Sequence, residues 1–137
     1  MPTIMIIDDD ATLRRGLATR LQAAGFDVLT EEFPDAAVNA VLRNRPDLIL
    51  LDIEMPEMNG FDFHECLRVT ERGRDIPIVY LTGVASPAHR EDAFRRGARA
   101  FIAKPYDPDE LIATIRGVLV TTARARYRWA SIRYSRI

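Results

Sequence analysis

The sequence predicts an α/β domain built on a doubly wound, five-stranded parallel sheet. Three observations carry that prediction. Five short apolar runs recur along the 137 residues, each of strand length. Between them lie helix-length segments whose apolar residues fall three and four apart. Runs such as Ile4-Met5-Ile6-Ile7 and Leu48-Ile49-Leu50-Leu51 lack polar alternation, which marks strands buried on both faces. Strict alternation of strand and helix implies right-handed crossovers and helices on both sides of the sheet.

Taken in order, the strands are Ile4 to Ile7, Asp27 to Thr30, Leu48 to Leu51, Ile76 to Leu81 and Ala100 to Ala103. The first helix runs from Ala11 to Ala24, with Asp10 as its N-cap and Gly25 suited to a left-handed C-terminal cap. The second spans about Asp35 to Arg43 and the third Phe61 to about Arg72. Ser86-Pro87 places an N-cap and an N1 proline before the fourth helix, which Gly97 ends. Asp107-Pro108-Asp109-Glu110 opens the fifth as a capping box. The connection from Ile53 to Gly60 is the long one and carries a proline, a glycine and two acids. Long connections at strand ends are where sites usually sit.

Composition is that of an ordinary globular chain, with a formal net charge of −1. The charge is unevenly placed. Residues 117 to 137 hold Arg124, Arg126, Arg128, Arg133 and Arg136 and no acid. That leaves 14 basic side chains against 20 acids in the remainder, a formal −6. Lys104 is the single lysine, and it stands at the end of a strand. The one cysteine, Cys66, has no partner for an internal disulfide and reads as a small buried apolar residue. His64 and His89 stand apart from each other and read as surface or structural residues. No apolar stretch approaches the roughly 20 residues that span a bilayer. A cytoplasmic location is therefore expected, with no membrane partner.

The strand ends carry the chemistry. In an open parallel sheet the carboxyl ends of the strands face one crevice, where ligands bind. The first strand delivers Asp8 and Asp9 to it and the third delivers Asp52. The fourth delivers Thr82 followed by Gly83, and the fifth delivers Lys104 followed by Pro105. Carboxylates gathered in one place repel one another and stay charged only beside a cation. Magnesium prefers oxygen ligands, taking one or two carboxylates together with phosphate oxygens. A carboxylate needs no general base to attack phosphorus, so Asp52 is the candidate nucleophile. Phosphoryl transfer then requires positioning and neutralised oxygens, which Thr82, Lys104 and a metal can supply. Gly83 leaves a backbone N–H open to a phosphate oxygen.

These residues resemble the receiver domain of two-component response regulators, over about residues 3 to 120. Ile6-Ile7-Asp8-Asp9-Asp10 matches that family's acidic pair. Leu50-Leu51-Asp52-Ile53-Glu54-Met55-Pro56, with Asn59-Gly60, matches its phosphoacceptor segment. Thr82-Gly83 matches the switch hydroxyl and its small neighbour. Phe101 stands at the aromatic switch position, and Lys104-Pro105 matches a pair usually joined by a cis peptide. The resemblance implies a flavodoxin-like (βα)5 receiver fold that works in a phosphorelay. Asp52 would accept a phosphoryl group from a sensor histidine kinase or a histidine phosphotransfer protein. Mg²⁺ or Mn²⁺ would be held by Asp9, Asp52 and the backbone carbonyl of Glu54, with Asp8 acting largely through water. Thr82 would be drawn inward and Phe101 would fill the vacated space, remodelling the face of the fourth helix, fifth strand and fifth helix. Such a domain is a signalling module, not an enzyme beyond its own phosphotransfer and dephosphorylation. Glu54 and Val84 would tune the phosphate lifetime. A downstream protein target is implied and a homodimer is compatible with it, while nucleic acid is not expected.

Two other readings compete. Asp8-Asp9-Asp10-Ala11-Thr12 also satisfies Asp-x-Asp-x-Thr, the nucleophile motif of haloacid-dehalogenase-type phosphatases. That family expects a further acid pair after its lysine, whereas Asp107 and Asp109 fall in a capping box, and Asp52 would be left without a task. A receiver-like scaffold without phosphate chemistry is the other. Residues 121 to 137 are expected to be a basic tail or helix extension following a domain of residues 1 to 120, with no effector domain. The +5 segment could dock on an acidic body, its own or a partner's.

Overall fold

The computed structural model describes residues 1–32, 34–56 and 58–135, with side chains described for all of these except residues 34–35 and 129–135. Strand and helix alternate five times: β1 (Thr3–Ile7), α1 (Ala11–Ala23), β2 (Asp27–Glu31), α2 (Pro34–Asn44), β3 (Leu48–Leu51), α3 (Gly60–Arg68), β4 (Ile78–Thr82), α4 (Pro87–Arg95), β5 (Ala100–Ala103) and α5 (Pro108–Ser135). The strands form one parallel sheet in the order β2-β1-β3-β4-β5. Strand order reverses between β1 and β3, so both of these strands open at the crevice where ligands bind in such sheets.

Each central strand splits its side chains between two cores, which is why its sequence shows no polar alternation. Met5 and Ile7 of β1 point to the side covered by α2, α3 and α4, while Ile4 and Ile6 point to α1 and α5. The second core is aliphatic apart from Phe26, with Leu17, Leu21, Leu111 and Ile115 packed on the sheet. The first holds the aromatic residues Phe61, Phe63, Tyr80 and Phe101.

The local signals hold well. Asp10 caps α1 by accepting from the Thr12 and Leu13 N–H groups. Ser86 accepts from His89 N–H at the start of α4, and Asp107 accepts from Asp109 and Glu110 at the start of α5. Gly25 and Gly97 take φ values of 96° and 102°, the left-handed conformation that ends the helices before them.

Two boundaries differ from expectation by more than one residue, and one burial differs. β4 begins at Ile78 rather than Ile76. Pro77 has no N–H to give the ladder, and Ile76 N–H turns back to the Gly73 carbonyl. α3 ends at Arg68 rather than about Arg72. There the Thr70 hydroxyl and N–H both bond to the Leu67 carbonyl and Gly73 N–H bonds to the Thr70 hydroxyl, closing a turn. Of the two expected forms for the C-terminal segment, tail or helix extension, the described residues take the second: α5 continues without a break past residue 120 to Ser135. Thr122 is its last buried side chain among those described. The expectation that the basic tail docks on an acidic surface involves Arg133 and Arg136, which lie outside the described side chains. Cys66 is only partly buried, because α3 turns Phe63, His64 and Leu67 inward instead.

His64 lies inside the aromatic core, 5 % exposed, with Nδ1 2.9 Å from the Tyr80 hydroxyl. Burial holds its pKa down at about 4 against an ordinary 6.5. Arg68 and Arg96 press the same way and Glu65 opposes them. The folded pKa lies below the unfolded one, so the unfolded chain takes the proton first. The stability is therefore fully present above pH 6.5 and is lost as pH falls toward 4. Between pH 7 and pH 4 this group costs the fold about 3 kcal/mol. Urea unfolding at both pH values should show His64→Leu losing that much of the pH dependence seen in the wild-type chain. Equal dependence in the two proteins would show that His64 does not titrate in this way.

Candidate functional site

Four strand ends meet in an open cleft of about 370 Å³ lined by Asp8, Asp9, Asp10, Asp52, Glu54, Thr82, Gly83 and Lys104. Of the predicted site residues, all but Phe101 and Pro105 line it. Phe101 lies below, buried on β5 with its ring centroid 6.2 Å from that of Tyr80. The parallel register explains the convergence. Ile7 of β1 pairs with Leu51 of β3, so the residues that follow each, Asp8 and Asp52, emerge side by side. Asp52 N–H bonds back to the Ile7 carbonyl, extending the ladder one step into the site.

Lys104 reaches across the sheet to join them. Its Nζ lies 2.7 Å from Asp8 Oδ2 and 3.2 Å from Asp52 Oδ2. The other oxygen of each acid is held by backbone. Asp8 Oδ1 accepts from Asp10 N–H at 2.9 Å, and Asp52 Oδ1 accepts from Ile53 N–H at 2.7 Å. Burial lifts the Asp8 carboxyl above its usual range, while the Lys104 ammonium and Asp10 N–H pull it back. For Lys104, burial pushes the ammonium down. The bond to Asp8 and the charges of Asp8 and Asp52 outweigh it, and the pKa is raised. Asp8 is the more deeply buried partner of the pair, and the ammonium beside it opposes the effect of that burial.

Asp8, Asp9 and Asp52 each bring a carboxylate oxygen within 4.8 Å of the others, and Asp9 is exposed. Three hard oxygen donors beside an open cleft fit a divalent cation such as Mg²⁺. One ammonium against three carboxylates leaves a negative surplus that such an ion would neutralise.

Thr82 is buried, and its hydroxyl accepts from Val84 N–H at 3.2 Å. Gly83 is exposed beside it, with nothing within 4 Å of the place a Cβ would occupy. The Lys104–Pro105 peptide is cis.

Some contributions were not visible in the chain. The Arg14 guanidinium donates to the Asp8 carbonyl and stands 3.7 Å from Glu32, bracing the β1 end. Nothing in the spacing of Arg14 signals this. Gly60 starts α3 directly against β3, where a Cβ would stand 2.1 Å from the Asp52 carbonyl oxygen. Its N–H bonds to Ile53 O at 2.7 Å. The Asn59-Gly60 pair marked this loop in the sequence, but not the close approach.

Gly60 and Gly83 therefore make opposed predictions. Gly60→Ala should force the Asp52 peptide to shift and cost about 1–3 kcal/mol, as overpacking does. Gly83→Ala should leave folding unchanged within about 0.5 kcal/mol. Urea denaturation of both variants checks this, and a stable Gly60→Ala chain would mean the loop yields easily.

Residues 4–116 match the response regulator receiver domain family. The chain is 36% identical over 124 residues to the probable transcriptional regulator ycf27 of Guillardia theta, covering 90% of this chain and 48% of that protein. It is 35% identical to the DNA-binding dual master transcriptional regulator RpaA of Synechocystis, covering 90% and 52%. It is 36% identical to the phosphate regulon transcriptional regulatory protein PhoB of Pseudomonas aeruginosa, covering 88% and 52%. The chain thus spans about half the length of these relatives. Among solved structures, a putative response regulator from Chloroflexus aurantiacus superposes with a TM-score of 0.83 at 28% identity, covering 88% of this chain and 99% of that one. Chemotaxis protein CheY4 of Vibrio cholerae superposes at 0.81 with 30% identity, covering 86% and 98%. With the sheet order and the strand-end cleft already matching, the chain belongs to the response regulator receiver domain family.

Proposed function

We propose that Asp52 is the phosphoacceptor of a phosphorelay and that its phosphorylation is read out at the face of α4, β5 and α5. The observation that carries this reading is the ammonium of Lys104 held between Asp8 and Asp52 at the mouth of the cleft. Asp8 and Asp52 both line the cleft and both meet Lys104, and Asp52 is the one carried by the segment that resembles the family's phosphoacceptor segment. In the transfer, an Asp52 oxygen attacks the phosphorus of a phosphohistidine on a sensor kinase or phosphotransfer protein. The P–N bond breaks, and the departing imidazole takes a proton from water. Lys104 then turns from the free carboxylate to a phosphoryl oxygen. The Thr82 hydroxyl, which accepts from Val84 N–H, would donate its O–H to another phosphoryl oxygen. Gly83 keeps the approach open and offers its N–H.

The divalent ion would be held by the carboxylates of Asp9 and Asp52 and the Glu54 carbonyl, with Asp8 acting through water. When bound it supplies charge neutralisation to the transferring oxygens. Phe101 is already packed inward against Tyr80, so phosphorylation would favour this placement of the ring. With no hydroxyl on the ring, that preference rests on packing. Glu54 and Val84 flank the site and would set how long the phosphoryl group survives. Dephosphorylation is this same site admitting water, so self-catalysed phosphotransfer and hydrolysis are its only chemistry.

No helix among the described residues is long and apolar enough to cross a membrane, and a cytoplasmic location fits partners that carry phosphohistidine. Residues 1–120 serve as the receiver, and 121–137 form a basic segment of which 121–135 continue α5. A protein target and a second copy of the chain are the output partners we favour. Because RpaA is described as DNA-binding, DNA joins them as a candidate, against the expectation from sequence.

Incubation with acetyl phosphate and Mg²⁺, followed by intact mass measurement, should add one phosphoryl group to the wild-type chain and none to Asp52→Asn. Labelling that persists in Asp52→Asn and disappears in Asp8→Asn would favour the dehalogenase-type reading instead. Labelling of neither protein would favour a scaffold. Removing Mg²⁺ with EDTA should abolish labelling, and Asp9→Asn should raise the Mg²⁺ concentration needed by about tenfold or more.

A further inference from the structure

β4 places two polar side chains on the sheet face covered by α3 and α4: Thr82 at its end and Tyr80 two residues before. Both are fully buried. The Tyr80 ring packs at 5.5 Å from Phe61, 5.8 Å from His64 and 6.2 Å from Phe101, measured between centroids. It therefore forms the wall against which Phe101 rests. A phenol among apolar groups costs free energy unless its hydroxyl is bonded, and a Phe or Leu ring or chain would fill the space without that demand. Here the demand is met by His64 Nδ1 at 2.9 Å, across the gap between β4 and α3.

Both groups are uncharged at neutral pH. Burial keeps the imidazole neutral and lifts the phenol well above its usual range. The bond is thus a neutral one, and the imidazole tautomer sets which of the two groups donates.

α3 is itself registered to the phosphoacceptor strand. Gly60 begins it in contact with the Asp52 carbonyl, and Gly60 N–H bonds to Ile53 O. One turn later on the same helix comes His64. A continuous line of contacts therefore runs from the Asp52 backbone through Gly60 and α3 to His64, Tyr80 and Phe101. It is separate from the route through Thr82. Phe61 is clamped from the α4 side, with the His89 ring at 6.1 Å and the Arg96 guanidinium 5.0 Å away. Arg96 also pairs with Glu65 of α3, so the two helices hold the cluster from both sides.

We propose that His64 and Tyr80 are a positioning pair: their hydrogen bond fixes the wall on which Phe101 packs and couples the Phe101 placement to Asp52 through α3. The inference rests on reading Asp52, Thr82 and Phe101 as a phosphorylation switch. It adds a second physical connection to that switch. A bond that favours the inward Phe101 also favours the phosphoryl-bound state, because the two equilibria are linked. Losing the bond must then weaken binding of a phosphoryl mimic, even where the fold survives.

The test is beryllofluoride binding to the full chain with Mg²⁺, followed by NMR with ring-labelled phenylalanine. Tyr80→Phe keeps the ring and removes only the hydroxyl. It should weaken beryllofluoride about five- to tenfold and move the Phe101 ring resonances. His64→Leu should weaken it similarly, and the double variant no further than either single one, since the two act as a unit. His64→Gln, whose side-chain amide can either accept from the phenol or donate to it, should recover most of the affinity. Urea unfolding of each variant separates stability from coupling. Variants that are less stable but bind beryllofluoride as tightly as wild type would overturn the proposal and leave a merely structural bond. Should His64→Leu not fold, Tyr80→Phe decides alone. A wild-type chain that binds no beryllofluoride would overturn the switch reading itself, and the pair with it.

Discussion

The contact of Lys104 with Asp8 and Asp52 ties together the ends of β5, β1 and β3, and the arrangement of the site depends on it. Without a cation there, two largely buried carboxylates on adjacent strands would repel at close range. A buried ion pair is weak evidence for net stability, since desolvation offsets much of the attraction. Its value here is geometric. It aims both acids and the ammonium at one point in an open cleft, and it leaves enough negative charge for a divalent ion to matter. The conflict among the acids is carried by the two apolar cores beneath them, in which β1, β3 and β4 are buried on both faces.

The same economy of position appears below the cleft. β4 emerges into the site with Thr82 and reaches the aromatic core with Tyr80, two residues apart on one face. A displacement at the upper residue is therefore felt by the packing of the lower one, because the interior is dense and has little slack. Phe101 stands beside both, on the neighbouring strand and in register with Tyr80. The proposed readout does not require a long wire. It requires one ring whose two placements differ in how they meet a threonine and a tyrosine.

Much of the fold was legible because its signals are local. The apolar runs marked the strands, Asp10, Ser86 and Asp107 marked helix starts, and Gly25 and Gly97 marked helix ends. The misjudged boundaries lie where a side chain competes with the backbone pattern. At β4 it was Pro77, whose missing N–H delays the strand. At α3 it was Thr70, whose hydroxyl takes the carbonyl that the helix would have used. Among the site residues, those carried on strand ends were legible because parallel pairing brings such ends together whatever the details. The roles of Arg14 and Gly60 were not, since each depends on which atom of a distant segment comes near.

The sequence by itself determined the alternating architecture, the acids, hydroxyl and ammonium at the strand ends, and thereby the family. Periodicity and strand-end chemistry are properties of neighbouring residues, so they survive being read one residue at a time. Only the tertiary structure decided that Lys104 spans Asp8 and Asp52, that Gly60 leaves no room for a side chain, and that His64 is buried on Tyr80. An isolated histidine in a helix reads the same whether it faces water or a phenol. The packing of α3 against β4 makes that choice, through a contact between residues sixteen positions apart.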